Sequence, residues 1–420
     1  MHRSSSSTLA AAAILAAAVT TSQMDTPVPD FYDPYDDAFL ANPWPVYQRM
    51  RDEAPAYFVE HLNTWAFSRF EDVLAASMDR THYTATAGTT LDALQTEGPK
   101  PSAFVFMDPP QHTYHRNVLN PLYQKASVAL LEDKIRKLTR TLMAPDLARG
   151  ELEIYGLATQ VGLCTIADLI GLRHTDIAHI RGLLDIWMHR EPGIRGVTPL
   201  GMKAFGEVYE YIMVLVREYR VSPPATNTHL DAWMNFSIDG RQMSDDEIFF
   251  SIFSLVVTGS DTISLTAAGT VYYLGQNPQQ YAEVRADHGL IPHAFAETAR
   301  YDQPTNILGR RVVRDLELHG QTIKAGQNVL FLFASANRDD REFQNADQYQ
   351  ISRRAPRTLA FGAGIHGCLG QHLGRLEGKI VLEEVFAAIP EYEVQTQRSR
   401  RTYTEFLQGY CHVPITFRAR

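Results

Sequence analysis

Apolar residues recur every three or four positions along most of this chain, which is the spacing of one face of an α-helix. Helices are predicted over the longest of these segments: 108–147, 158–188, 201–220, 244–276 and 369–389. The segment 244–276 opens with Ser244 and Glu247 at the spacing of a capping box, which marks the start of its helix. Pro390 ends the last of these segments.

Segments with the character of β-strands are short and lie between the helices. Residues 56–68, AYFVEHLNTWAFS, carry aromatic and β-branched residues on both sides of a turn at 61–63, which predicts a hairpin. Further short strands are predicted between Ile307 and Phe333. Because the strands do not alternate regularly with helices, the pattern indicates an α+β fold that is mainly α.

Composition and charge narrow the possible classes of function. The 420 residues are 45% hydrophobic and 21% charged, which is ordinary for a soluble globular protein. The formal net charge is −9 and the basic residues are scattered, so nucleic acid is not expected as a partner. The three cysteines, Cys164, Cys368 and Cys411, are too few for a disulfide framework and indicate a reducing compartment.

The loop FGAGIHGCLG, residues 361–370, allows two interpretations. Its glycines spell G-x-G-x-x-G, which in a dinucleotide site follows a buried strand and lies inside a βαβ unit. The preceding SRRAPRTLAF contains several arginines and a proline and is poor strand material. Glu383 and Glu384 have the distance of a ribose-binding acid but lie within one uninterrupted helical pattern. The context therefore argues against a dinucleotide.

The second interpretation is a cradle for the thiolate of Cys368. This residue falls at the start of the predicted helix 369–389, where the helix dipole and free N–H groups favour a negative sulfur. The glycines of the loop allow backbone amides and a flat ligand to approach closely. A lone cysteine is more often a small buried hydrophobe. The four glycines and the histidine two residues earlier favour the functional interpretation.

The same loop resembles the haem-binding loop of the cytochrome P-450 family, whose fixed positions are all in register: Phe361, Gly362, Gly364, His366, Cys368 and Gly370. The resemblance implies the fold of that family, a helix-rich domain with small β-sheets around a buried haem. It also implies haem b (heme b, iron protoporphyrin IX) with Cys368 as the axial thiolate ligand, which pushes electron density onto the iron. By the same resemblance Phe361 shields the sulfur and His366 contacts a haem propionate.

Other segments resemble the propionate-binding residues of the family. MDPPQHTYHR places His112 and Arg116 four residues apart on a helix that starts after Pro110, a pair that alone would indicate a solvated face. The resemblance assigns both residues to the propionates. It assigns Arg310 to the same role, although the adjacent Arg311 competes for it.

Glu297 and Arg300 have the i, i+3 spacing of a helical ion pair. In the family a pair at this place joins a later arginine, matched here by Arg353, and stabilises the haem-loop side of the fold. Asp340 stands where the family usually has a proline after Asn-Arg-Asp. That departure concerns loop stiffness rather than chemistry.

Polar residues interrupt the apolar middle of the predicted helix 244–276, in the segment VVTGSDTIS at 256–264. Glycine inside a helix costs about 1 kcal/mol relative to alanine, and an unpaired buried carboxylate costs more. The segment is either a solvated stripe or a helix opened locally at Gly259, so that dioxygen and water can lie beside it. The resemblance implies the second explanation, with Thr262 bonding dioxygen and Asp261 relaying protons. Thr258 stands where the family usually has alanine or glycine.

These residues together imply a haem-thiolate monooxygenase that hydroxylates a small apolar organic substrate with dioxygen. The sequence shows no flavin or NAD motif, so two electrons are expected from a ferredoxin and a ferredoxin reductase. A peroxide-driven enzyme would not need the acid and the alcohol of Asp261 and Thr262. A haem-thiolate sensor of gas or ligand, the alternative from another class, has no use for a proton relay. The resemblance places the substrate against an apolar set of side chains, namely Phe104, Val105, Phe106, Trp187 and Met188.

The first 23 residues differ from the rest of the chain. His2 and Arg3 precede four serines and an alanine-rich apolar run over 9–19, which is the layout of a secretory signal. The run is shorter than the ~20 apolar residues of a membrane span. The alternative is an upstream start, with Met24 opening the working chain. We favour a 1–23 extension, a single 24–420 domain, a cytoplasmic location and no membrane partner, because the chemistry needs cytoplasmic electron donors.

Overall fold

The computed structural model describes residues 31–191, 194, 196–222, 228–238 and 240–419. The signal-like segment and the alternative start at Met24 lie outside the described residues. Most of the described chain is helical. In chain order the helices are α1 (Asp37–Ala41), α2 (Trp44–Glu53), α3 (Phe70–Met78), α4 (Leu91–Gln95), α5 (Gln111–Leu119), α6 (Lys125–Ala129), α7 (Glu132–Arg149), α8 (Ile154–Ile170), α9 (His174–Met188), α10 (Pro199–Val221), α11 (His229–Asn235), α12 (Asp245–Gln276), α13 (Pro278–Ala286), α14 (Ile291–Tyr301), α15 (Phe333–Ala336) and α16 (Gln371–Ala388).

The strands form several small sheets beside the helices. They are β1 (Ala56–Val59), β2 (Thr64–Phe67), β3 (Tyr83–Thr84), β4 (Glu151–Glu153), β5 (Ser237–Ile238), β6 (Arg241–Gln242), β7 (Ile307–Val312), β8 (Leu316–Leu318), β9 (Gln321–Ile323), β10 (Asn328–Leu332), β11 (Glu393–Val394), β12 (Arg400–Tyr403), β13 (Gln408–His412) and β14 (Pro414–Thr416). The largest sheet has the order β1-β2-β10-β7-β3. Its β1–β2 hairpin confirms the prediction, and β10 runs parallel to β2 but antiparallel to β7.

Two of the predicted helices are interrupted. The segment 108–147 is divided by a 3₁₀ turn over Asn120–Tyr123, where Pro121 lacks the N–H that a continuous helix needs. The segment 158–188 is divided at Gly171, whose φ of 95° is left-handed and whose N–H bonds the carbonyl that ends α8. The capping box that starts α12 and the final helix before Pro390 are confirmed.

Helix α12 runs through the centre of the protein and packs against α8, α10, α14, α16 and β13. By length and composition it could cross a membrane, but 61% of its most apolar window is buried inside the protein, as in the core helix of a globular fold. The predicted opening at Gly259 is wrong, because the helix is continuous there. Helices α8 and α12 pack closely at this point: a Cβ added to Gly162 of α8 would lie 3.3 Å from the Gly259 carbonyl oxygen, whereas one added to Gly259 would make an ordinary contact with Ile166 at 3.4 Å.

Candidate functional site

A cavity of about 1160 Å³ lies between α12, the loop before α16 and the segments around α4 and α9. Cys368 and Thr262 both line it. The apolar residues expected at the substrate also line it, namely Phe104, Val105, Phe106, Trp187 and Met188. The cavity therefore brings together the predicted metal ligand, the predicted alcohol and an apolar wall.

The loop that carries Cys368 is shaped by two left-handed glycines. Gly362 and Gly364 have φ values of 65° and 68°, which a residue with a side chain rarely adopts. A Cβ added to Gly364 would lie 2.4 Å from the Ser77 carbonyl oxygen, so this loop packs directly on α3. The Cys368 N–H donates to the Phe361 carbonyl at 2.8 Å, which closes the loop.

Cys368 precedes α16 rather than starting it, since Gly370 is the N-cap of that helix. Its thiol is exposed, but the space it faces is the interior of the cavity. Burial in the protein raises the pKa of the thiol, while the Gly370 N–H, Arg116 and Arg375 lower it. A metal ion bound to the sulfur would favour the thiolate form further.

Four basic side chains from α5, β7 and the loop form what we call the basic cluster: His112, Arg116, Arg310 and His366. The last three line the cavity together with Cys368, whereas His112 contacts the His366 ring and does not line the cavity. The two histidine rings are 4.5 Å apart, and the Nε2 atom of each is buried without a partner among the described residues. Burial, then the charge of Arg116, lowers the pKa of His112 to about 4. Burial, then the charge of Arg310, lowers the pKa of His366 to about 2.

The arginines of the basic cluster are held by carbonyl oxygens rather than by acids. Arg116 donates to two carbonyls of the Cys368 loop at 3.0 and 2.6 Å. Arg310 donates to the carbonyl of the preceding residue at 2.6 Å, and burial lowers its pKa to about 10. The adjacent Arg311 bonds Asn328 and a carbonyl in α4 instead. Of these two neighbouring arginines, Arg310 is the one that lines the cavity.

The basic cluster therefore presents buried donors and positive charge with little anionic compensation. Asp108, the acid that interacts with Arg310, already accepts from Thr84 and the Ala85 N–H. Buried cations of this kind are stable when an anion pairs with them. A flat ligand with two carboxylates, and with a metal that takes a thiolate, fits this wall, and haem b has both features.

On α12, Thr262 presents to the cavity a hydroxyl that is only weakly bonded. Its Oγ1 lies 3.5 Å from the Thr258 carbonyl oxygen, at the outer limit of a hydrogen bond. The Thr258 hydroxyl, by contrast, donates to the Ser254 carbonyl at 2.7 Å. Thr262 can therefore exchange its weak intrahelical contact for a bond to a ligand in the cavity.

Asp261 does not line the cavity, although it is adjacent to Thr262 in sequence. Its side chain is 4% exposed, which excludes the solvated stripe. Arg181 of α9 pairs with its Oδ1 at 2.7 Å and the Tyr155 hydroxyl donates to the same atom at 2.8 Å, while Oδ2 is buried without a partner in the described chain. No sequence pattern pointed to Arg181 or Tyr155, because both lie on other helices with ordinary patterns.

Glu377 is a further site residue without a sequence signal. It lines the cavity from α16, its Oε1 has no partner among the described residues, and burial raises its pKa to about 8.

The Glu297 network, in contrast, matches its prediction. Arg300 donates to both Glu297 oxygens at 2.9 and 2.7 Å, and Arg353 adds a third bond at 3.1 Å.

Comparison with known proteins agrees with this geometry. The family model described as Cytochrome P-450 matches residues 201–408. The chain is 36% identical to the protein named cytochrome P-450 123 of Mycobacterium tuberculosis, over 92% of this chain and 97% of that protein. It is 28% identical to CYP199A2 of Rhodopseudomonas palustris, over 94% and 96%. A solved structure of CREJ in complex with (4-ethylphenyl) dihydrogen phosphate matches with a TM-score of 0.83 at 25% identity, covering 92% of this chain and 99% of that chain.

Proposed function

The chain belongs to the cytochrome P-450 family, and from that membership we propose that it hydroxylates a small apolar organic substrate with electrons from a ferredoxin and a ferredoxin reductase. The family is one of haem-thiolate monooxygenases that use haem b. The observation that carries the proposal is one cavity that joins Cys368, three members of the basic cluster, Thr262 and an apolar wall. The domain is proposed to span 24–420.

In this proposal Cys368 ligates the haem iron through Sγ, and the basic cluster holds the two propionates. Phe361 lines the cavity next to the sulfur, and Arg375 lies over its ring at 4.4 Å. When bound, haem b supplies the thiolate-ligated iron at which dioxygen is activated. The chain itself supplies the anchors, the exclusion of bulk water and the protons.

We assign proton delivery to Asp261 and Thr262. Arg181 and Tyr155 both occupy Oδ1 of Asp261, so Oδ2 is the oxygen that takes up a proton. Because Asp261 does not line the cavity, a water molecule or a rotation of its side chain connects it to Thr262. The Thr262 hydroxyl then presents the proton inside the cavity.

Replacement of Thr262 tests this assignment. Thr262→Ala should retain haem and electron consumption but lose most of the coupling between electrons consumed and product formed. Thr258→Ala is the matched control, since that hydroxyl also lines the cavity but is bonded within its own helix. A substrate for the assay comes from screening compounds for a shift of the haem Soret band. Full coupling in Thr262→Ala would show that the relay is assigned wrongly.

The alternative function, a haem-thiolate sensor, predicts ligand binding without turnover. A buried acid adjacent in sequence to a weakly bonded hydroxyl favours the enzyme, because neither group is needed to bind a gas. The redox partner and a cytoplasmic location are parts of the same proposal. Reconstitution with a ferredoxin and its reductase tests the partner directly: product should require both proteins, and product formed with hydrogen peroxide alone at the same rate would favour a peroxide-driven enzyme.

A further inference from the structure

One part of the cavity wall is polar and belongs to none of the groups described above. Its members come from separate segments and line the same cavity as Cys368. We call them the polar wall: Tyr35, Asp92, Arg190 and Glu405. Tyr35 precedes α1, Asp92 lies in α4, Arg190 follows α9 and Glu405 lies in the turn between β12 and β13.

Arg190 is loosely bonded for a partly buried guanidinium. Its Nη2 lies 3.4 Å from Glu405 and 3.7 Å from Asp92, and its Nη1 donates to two carbonyls of α9 at 3.4 and 3.2 Å. Charge-assisted bonds between such groups are normally about 2.7–2.9 Å long. The Nε atom is buried and has no acceptor among the described residues. The side chain is 25% exposed and lines the cavity, and its Nη atoms carry four of the five arginine donors, so they can still bond an acceptor there.

The acids of the polar wall decide what kind of partner fits. Asp92 uses its other oxygen to accept from the Tyr35 hydroxyl at 2.8 Å, which keeps it beside Arg190. Glu405 is buried, and burial and then the charge of Asp92 raise its pKa. A carboxylate that approached Arg190 would meet the oxygens of both acids. An uncharged oxygen would accept from the loosely held Nη atoms without that repulsion.

We propose that Arg190 anchors an uncharged oxygen of the substrate, a carbonyl or a hydroxyl, while the rest of the molecule lies on the apolar wall. The substrate class is then a largely hydrocarbon molecule that already carries one such oxygen away from the carbon to be hydroxylated. This inference rests on the proposed function, because it requires that haem and substrate share the cavity. It gives Arg190 a role in specificity and none in the chemical step.

N-alkyl imidazoles test the anchor without turnover, since their ring nitrogen binds the haem iron and their tail extends into the cavity. Tails of graded length should end in a methyl group, a methyl ketone or a carboxylate. Dissociation constants follow from the Soret shift. At one tail length the ketone should bind about tenfold more tightly than the methyl probe, the effect of one hydrogen bond to a charged group. The carboxylate should show no such gain.

Arg190→Met should remove the ketone preference and leave the affinity of the methyl probe unchanged, which also shows that the variant is folded. Lys100→Met is the matched control, because Lys100 also lines the cavity but its ammonium donates to the Thr96 carbonyl. It should keep the preference. A ketone preference that survives Arg190→Met, equal affinities at every length, or a preference for the carboxylate would overturn the anchor alone. A protein that binds no probe through its haem would overturn the proposed function and the anchor together.

Discussion

Replacement of Glu297 by glutamine removes one charge from the most deeply buried ion network described above. The Arg300 side chain is 0% exposed, and those of Glu297 and Arg353 are 4% and 8% exposed. Glu297 accepts from both arginines and from the Gln350 N–H at 3.0 Å. Glutamine has nearly the same shape but only one acceptor oxygen, and its amide would face the donors of Arg300.

The expected cost is large because two buried guanidinium groups lose their shared counter-charge. Breaking a buried pair by removing one partner typically costs about 3–5 kcal/mol. A domain is stable by only about 5–15 kcal/mol, so the variant should lose a substantial part of its stability. The control is Glu53→Gln. Glu53 pairs with Arg49 at 2.9 Å, but both side chains are more than half exposed, and such pairs contribute about 0.3–0.5 kcal/mol.

Urea unfolding of the haem-loaded proteins, followed by circular dichroism and by the Soret band, measures both costs. Glu297→Gln should shift the midpoint far below that of the unmodified protein, and Glu53→Gln should leave it almost unchanged. If the two variants lost similar free energies of unfolding, the network would not stabilise the haem-loop side of the fold and the reasoning from burial would be refuted.

Two further changes probe the walls of the cavity. Gly364→Ala should lower the haem content per protein, measured by absorbance, because its Cβ would meet the Ser77 carbonyl at 2.4 Å; Gly98→Ala, also at positive φ but with open space around it, should keep its haem. Glu377 has a folded pKa of about 8 against an ordinary value of 4.5, so between those pH values the folded state holds a proton that the unfolded state has lost. Stability should therefore fall as pH rises through this window, by at most about 5 kcal/mol at 1.36 kcal/mol per pH unit. Glu377→Gln should flatten that part of the curve, and an unchanged pH dependence in urea unfolding would contradict the assignment.

Local patterns predicted most of the helices, the hairpin and the loop of Cys368, because spacing, capping and glycine content act within a few residues. The Glu297 network was also predictable, since its spacing matches a family motif. The continuity of α12 at Gly259 was not predicted, because a glycine inside a helix is compatible both with a local break and with a regular turn. That Asp261 would point away from the cavity was not predicted either, because its partners Arg181 and Tyr155 lie on other helices.

The polar wall and Glu377 were beyond prediction for a further reason. Asp92, Arg190 and Glu405 are ordinary charged residues in three distant segments, and only the closed fold brings them to one cavity. Glu377 fits the polar positions of an amphipathic helix, and its burial follows from what packs around α16. The surroundings of these residues, and therefore their chemical properties, are determined by the fold rather than by local composition.

Every role proposed for the cavity depends on a bond between Cys368 Sγ and the haem iron. The direct measurement is the absorption spectrum of the reduced protein with carbon monoxide, recorded for the unmodified chain, Cys368→Ala and the control Cys411→Ala. The band diagnostic of thiolate-ligated haem should appear in the first and third proteins and be lost in the second. A cofactor-replete protein without that band, or a band that survives Cys368→Ala, would contradict the assignment of this sulfur.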